Sequence, residues 1–392
     1  MPRLFRALPA LLFLILVCVP AYAEKNLKRP PGTTRYAAML RQLKALQDYD
    51  KAHANRMALS SLGRSVKGRS LWLVTLSAPP APNPGATAPD GGVGEKGAVT
   101  REEGAASGAS TGETVGAGGP KRIFYLCRQH GHEPASTEGA LAFINMLVKA
   151  DEDTPLAGYL KQATVMVVPM ANPDGAEAFL RHNAHDADLN RDWLRRTQPE
   201  TRALSAAIRR LRPDLMTDQH ELYPNDPRPD FTEAAQIGSG ASTAVVAACD
   251  DAQAVVQGAM RAEGFPVVSH WIMDTRPARL AHRYGSIIAE VPTILFETTR
   301  LSGSGRTVAA RAAAHEQFML TILRDEAGDR DRLLAEAAAW QAAHPRETQV
   351  LASRHQLVPR TAPAPAAPVP SPSVPSPSEM PGMDTPPEKG TE

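Results

Sequence analysis

The chain has 392 residues, a formal net charge of +1, 22% charged residues and 5% aromatics. A near-neutral balance gives no electrostatic case for nucleic acid or for an anionic membrane surface, and the length allows one large domain or two ordinary ones. Of its 35 prolines, 17 fall in two segments, 78–120 and 358–392, so a good part of the chain is expected outside any packed core.

Residues 1–23 read as a secretory signal peptide. Arg3 and Arg6 come first, an apolar run follows at 11–19, and Ala21-Tyr22-Ala23 closes it. That run is short for a membrane span. The expectation is an exported protein, periplasmic or secreted, with no stable span after cleavage. Cys18 follows Val17, where a lipoprotein signal wants a small residue, which argues against a lipid anchor. Cleavage would leave Cys127 and Cys249. Two exported cysteines can form one disulfide, but the sequence does not place these two together.

Residues 36–46 set Met39, Leu40, Leu43 and Leu46 on one helical face. In 62–76, Gly63 and Gly68 bracket a turn before an alternating strand, so a hairpin is expected. Residues 78–120 are rich in Gly, Ala, Pro, Ser and Thr. They are expected to form a disordered insertion between two core strands of one domain. The run Ile123-Phe124-Tyr125-Leu126-Cys127 reads as a buried strand, and Arg128-Gln129-His130-Gly131-His132-Glu133-Pro134 as the turn after it. A helix should follow through Val148, opened by Ser136 and Thr137 with Glu138.

Residues 163–170 form a second buried strand, ending in the turn Asn172-Pro173-Asp174-Gly175. A helix from Pro199 carries Leu204, Ile208 and Leu211 on one face. Strand 214–221 ends at His220-Glu221, and strand 291–297 ends at Glu297. Helices are expected at 241–263, 306–325 and 328–343. The Pro-rich stretch 358–392 has no means of forming a core and is expected to be a disordered tail. One domain would then comprise 24–77 and 121–345.

Strands alternating with helices imply an α/β fold: a three-layer α/β/α sandwich with a mixed, mainly parallel twisted sheet. Ligands in such folds sit at the carboxyl ends of the strands. His130, Glu133, His220 and Glu297 all fall there. Two imidazoles and a carboxylate can hold zinc and leave a position open, with Glu297 as a spare carboxylate. His130 and His132 both precede Glu133, and His130 is the one three residues away. His182 and His185 read as exposed loop residues.

The ordered set His130-x-x-Glu133, Asn172-Pro-Asp-Gly175, Arg181, Asp188-Leu-Asn190-Arg191, His220 and Glu297 resembles the zinc metallocarboxypeptidases of the carboxypeptidase A type. The run from Gly63 to Arg69 resembles the segment that opens many of those domains. The resemblance implies an exported zinc-dependent metallopeptidase that hydrolyses a C-terminal peptide bond, with one zinc per chain on His130, Glu133 and His220. It implies Glu297 as general base and Arg181 as stabiliser of the oxyanion. Asn190 and Arg191 would bind the substrate carboxylate, and Asp188 would orient a ligand histidine.

His132 stands where arginine is frequent in the family, as an auxiliary substrate contact, and Asp192 stands where asparagine is usual. The side-chain pocket is expected around 276–284, with Arg279 as a substrate contact or His282 favouring an acidic side chain. Tyr284 is poorly spaced for the family's mobile tyrosine. The implied partner is a peptide or peptide-like substrate with a free carboxylate. The alternatives are a zinc deacylase acting on N-acyl amino acids, a cell-wall peptide amidase, and a binding module that has kept only the fold. The Asn172–Gly175 turn and the glycine-bracketed opening favour the peptidase. The binding module would lack a ligand or base, and the sequence lacks neither.

Overall fold

The strand that carries the metal turn shows why the sheet needs cover on both faces. Ile123, Tyr125 and Cys127 point into one apolar cluster, while Phe124 and Leu126 point into another. In a computed structural model, residues 27–78, 119–236, 238–270 and 278–346 are described. The signal peptide expected at 1–23, most of the insertion expected at 78–120 and the tail expected at 358–392 lie outside the described residues.

In chain order the elements are α1 (Tyr36–His53), β1 (Met57–Arg64), β2 (Ser70–Leu76), β3 (Lys121–Cys127), α2 (Ala135–Val148), α3 (Pro155–Gln162) and β4 (Ala163–Val168). Then come α4 (Pro173–Ala178), α5 (Pro199–Leu211), β5 (Leu215–Glu221), β6 (Phe231–Ala234), α6 (Thr243–Ala262) and β7 (Val268–His270). The last are α7 (Ala281–Arg283), β8 (Thr293–Thr298), α8 (Val308–Arg324) and α9 (Arg330–Ala343).

The eight strands form one sheet in the order β1-β2-β4-β3-β5-β8-β6-β7. Pairs β3–β4, β3–β5, β5–β8 and β6–β7 are parallel. Pairs β1–β2, β2–β4 and β6–β8 are antiparallel. The larger cluster joins one face to α1, α2, α6 and α8. The smaller joins the other face to α5, with Trp193, Ala281 and Tyr284. Helices on both sides of a mixed sheet make the expected α/β sandwich.

Several local expectations change. The helix α2 begins at Ala135, and neither Ser136 nor Thr137 caps it. Both are occupied by tertiary partners instead: Ser136 Oγ accepts from the Arg128 amide, and Thr137 Oγ1 donates to the Pro169 carbonyl. The turn at 172–175 is the start of α4, where Asn172 Oδ1 accepts from the Gly175 amide as an N-cap. Strands β6 and β7 escape a sequence reading because they are only four and three residues long. Cys127 and Cys249 are buried free thiols within the larger cluster, so the disulfide left open by the sequence does not form. Burial pushes both thiols up in pKa. No helix among the described residues is long and apolar enough to cross a membrane.

Candidate metal centre

The turn after β3 is held from within. Arg128 takes a left-handed φ of 56° and is fully buried. Its guanidinium donates from Nε to the Gly131 carbonyl (3.1 Å) and from Nη1 to the Thr34 carbonyl (2.9 Å). Gly131 lies so close to α4 that an added Cβ would sit 1.9 Å from the Gly175 carbonyl carbon. Only glycine permits that approach. Asn172 Nδ2 donates to the Gln129 carbonyl (3.1 Å) and the Arg181 carbonyl (3.2 Å), tying the two turns together. Asp174 in turn accepts from Ser65 Oγ (2.9 Å), the Lys67 amide (2.9 Å) and Arg69 Nη1 (2.6 Å). The hairpin loop at 63–69 is therefore a latch on the back of the metal turn.

His130, Glu133 and His220 are buried, and one ligating atom from each lies within 4.8 Å of the others. His130 Nδ1 is 2.8 Å from Glu133 Oε1 and 3.0 Å from His220 Nδ1, which is 2.9 Å from Glu133 Oε2. Two imidazole nitrogens facing each other beside a carboxylate fit the donor set of a zinc ion. The outer nitrogens have carboxylate partners: His130 Nε2 is 3.2 Å from Asp188 Oδ1, and His220 Nε2 is 2.9 Å from Asp218 Oδ1. A proton on each outer nitrogen leaves each Nδ1 as a lone-pair donor.

Burial would raise the Glu133 carboxyl, but His130 and His220 outweigh it and hold Glu133 well below the usual carboxylate range. Asp188 is half-buried, and His130 and Arg181 depress it against its partial desolvation; buried Asp218 is depressed by His220 and His282. All three stay ionised, as partners of two imidazoles require.

Around this core the structure brings together most of the residues expected from the sequence. Arg181 Nε donates to Asp188 Oδ2 (3.0 Å), and Arg181 Nη1 stands 3.7 Å from Glu133 Oε1. Asn190 is buried, with Nδ2 3.1 Å from His220 Nε2 and Oδ1 accepting from the Ala281 amide (2.8 Å). Arg191 remains exposed, within electrostatic reach of Asp188, Arg181, Arg279 and Tyr223. Glu297 pairs with His220 in the β5–β8 register. It is half-buried, and desolvation pushes its carboxyl above the usual range, reinforced by Glu133 and opposed by His220.

His132 is fully buried, and its carbonyl accepts from Arg300 Nη1 (3.0 Å). It lines a cavity of about 160 Å³ with Pro134, Phe179, Pro224, Arg300 and Arg311. Burial keeps that imidazole neutral, pulled down to about 3. Arg279 is half-buried and accepts from the Trp193 amide through its carbonyl. Tyr284 is a core residue whose hydroxyl accepts from Arg209 Nη1. Asp192 anchors the start of α5 by accepting from the Thr197 and Gln198 amides (both 2.9 Å).

Four site residues escaped the sequence reading. Asp218 holds His220, and Gln129 Nε2 donates to Asp218 Oδ1 (2.6 Å) while its Oε1 accepts from Trp193 Nε1 (2.6 Å). The Tyr223 ring lies 5.2 Å from the Arg181 guanidinium carbon. Asp218 had a usable signal, because two residues before a strand ligand means the same face. The other three had none, being placed by loops.

Residues 43–221 match the family model described as zinc carboxypeptidase. That span holds the three ligands, Arg181, Asp188, Asn190 and Arg191, and stops short of Glu297. Carboxypeptidase 2 of Trichophyton rubrum is 33% identical over 117 residues, covering 29% of this chain and 21% of that protein. Carboxypeptidase SOL1 of Arabidopsis thaliana is 27% identical over 180 residues, covering 43% and 30%. The chain thus spans between a fifth and a third of these two relatives. A metallo-carboxypeptidase structure from Burkholderia cenocepacia aligns with TM-score 0.53 at 20% identity, covering 73% of this chain and 68% of that one. Carboxypeptidase A from Helicoverpa armigera aligns with TM-score 0.53 at 15% identity, covering 81% and 80%. Those two likenesses speak for the fold. Residues 43–221, just under half of the chain, thus match the zinc carboxypeptidase family model, and the ligand set they carry fits it.

Proposed function

We propose that this chain is an exported zinc-dependent metallopeptidase that cleaves the C-terminal peptide bond of a peptide or peptide-like substrate. The carrying observation is the facing of His130 Nδ1, His220 Nδ1 and the Glu133 carboxylate, with Glu297 one strand away from His220. Export rests on residues 1–23 alone.

His130, Glu133 and His220 would hold the zinc. When bound, such an ion supplies Lewis acidity toward a carbonyl and acidifies water. Glu297 takes the proton of the attacking water on its carboxylate and returns it to the leaving amine. Its raised pKa suits both halves of that transfer. Arg181, anchored by Asp188, presents a permanent charge beside Glu133, where a developing oxyanion is stabilised. Arg191 offers a fork to the substrate's terminal carboxylate, and the nearby Arg279 adds positive charge.

The test is a hydrolysis screen of full-length protein, zinc-loaded and chelated, on matched peptides with free and amidated C-termini, on cell-wall peptides and on N-acyl amino acids. Zinc-dependent release of the last residue from free-carboxylate peptides only is expected. Turnover confined to N-acyl amino acids would replace this reading with the deacylase.

A further inference from the structure

Behind His220 the polar chain does not stop at Asp218. Asp218 is fully buried, and its Oδ2 makes no hydrogen bond. Facing it at 3.6 Å is Nδ1 of His282, and Nε2 of the same ring is 3.4 Å from Glu233 Oε1. Arg283 Nη2 stands 3.6 Å from that same glutamate oxygen. His282 and Glu233 are also buried.

Strand register accounts for the spacing. On one face of the sheet, His220, Glu297 and Phe231 form one row, and Asp218, Leu295 and Glu233 form the next. His282, from α7, bridges the second row from its first member to its last. The helix turn that carries it is fixed to the metal centre by the hydrogen bond from the Ala281 amide to Asn190 Oδ1.

Two buried carboxylates cost stability unless a cation lies between them. Burial alone would lower the His282 imidazole, but Asp218 and Glu233 overcome it, and it is pushed up to about 9. The adjoining cavity, lined by Glu233, Gln236, His282, Arg283 and Ser286, measures about 20 Å³. That admits one water and no substrate side chain. The expectation that His282 reads an acidic side chain therefore gives way to a role inside the protein.

We propose that His282, anchored by Glu233, is a positioning residue for the metal centre. Its Nδ1 side faces Asp218 Oδ2 at 3.6 Å as the cation of an ion pair, which holds Asp218 Oδ1 on the outer N–H of His220 and leaves His220 Nδ1 free to ligate. The four groups form a relay, Glu233–His282–Asp218–His220. This inference rests on the metal-centre reading above.

The test compares full-length wild type with His282→Ala, His282→Gln and Glu233→Gln. Zinc affinity is measured by competition with a chelator, and the His220 ring N–H resonance is followed in ring-labelled protein. His282→Ala should weaken zinc binding by about tenfold or more and shift the His220 resonance. His282→Gln should restore part of the affinity, since its amide can still donate to Asp218. Glu233→Gln should give a smaller loss in the same direction, and it serves if His282→Ala does not fold. Unchanged zinc affinity and an unmoved resonance in a folded variant would overturn the relay alone. Failure of wild type to bind zinc would overturn the relay and the metal centre together.

Discussion

His220 and Glu297 are register partners on adjacent parallel strands, and their side chains leave the sheet on the same face. A ligand imidazole and an unligated carboxylate are thereby set side by side by backbone hydrogen bonds, the least adjustable contacts in the fold. Glu297→Gln keeps the shape and removes only the proposed base. It should retain zinc while kcat falls by about 10²- to 10⁴-fold. Metal analysis and steady-state kinetics on the same preparation check both halves. Turnover close to wild type would remove Glu297 from the mechanism.

The pH dependence has a definite sign. In the proposed role of general base Glu297 works only as a carboxylate, and its pKa in the fold is raised by desolvation. As pH falls, kcat/KM should therefore drop at a value above that of an ordinary glutamate, about 4.3. A raised carboxyl also means that ionisation costs folding stability: its contribution is greatest below the unfolded pKa and is lost as pH rises through the folded one. Glu297→Gln should accordingly melt no lower than wild type near neutral pH. An acid limb at or below the ordinary value, or a melting point several degrees lower, contradicts the burial argument.

Asp188 joins two functions, because its Oδ1 faces His130 Nε2 and its Oδ2 accepts from Arg181 Nε. Asp188→Asn should weaken zinc binding by about 10- to 100-fold. It should also lower kcat at saturating zinc, since Arg181 loses its anchor. Chelator competition and zinc-saturated kinetics separate the two effects.

Arg191 is the exposed cation of the group, so its loss should spare the fold. Arg191→Ala should raise KM for peptides with a free C-terminus by about 10- to 100-fold, the worth of a charged hydrogen bond of roughly 1.5–3 kcal/mol. Activity on amidated peptides, expected to be low, should not change. An equal loss on both substrates would place Arg191 elsewhere.

Gly131→Ala sets a methyl against the backbone of Gly175 and Ala176, where no flexible side chain can swing away. The cost should be at least ~1–3 kcal/mol in denaturant unfolding. Zinc affinity should fall as well, because the turn must lift His130 and Glu133 to make room.

Strand and helix spans were legible where apolar periodicity is long: β3, β4, β5 and β8, and the helices α5, α6, α8 and α9, all lie close to their expected ranges. Short or polar pieces were not. Ser136 reads as a cap by type, yet its hydroxyl is claimed by Arg128, a contact created by the return of the chain. His282 reads as a pocket residue by position, yet it faces inward between Asp218 and Glu233.

The sequence by itself determined the alternation of strands and helices, hence the sandwich, and it put His130, Glu133, His220 and Glu297 at strand ends. That information is local, carried by side-chain period and by short fixed offsets. Only the tertiary structure decided which nitrogen of each histidine faces the metal position, because that choice belongs to Asp188, which reaches His130 from a loop, and to Asp218, which reaches His220 from two residues back on the same strand. Only it decided that Gly131 must be glycine, and that β6 brings Glu233 into the row of Asp218. Register and backbone approach arise between segments far apart in the chain, and no local pattern encodes them.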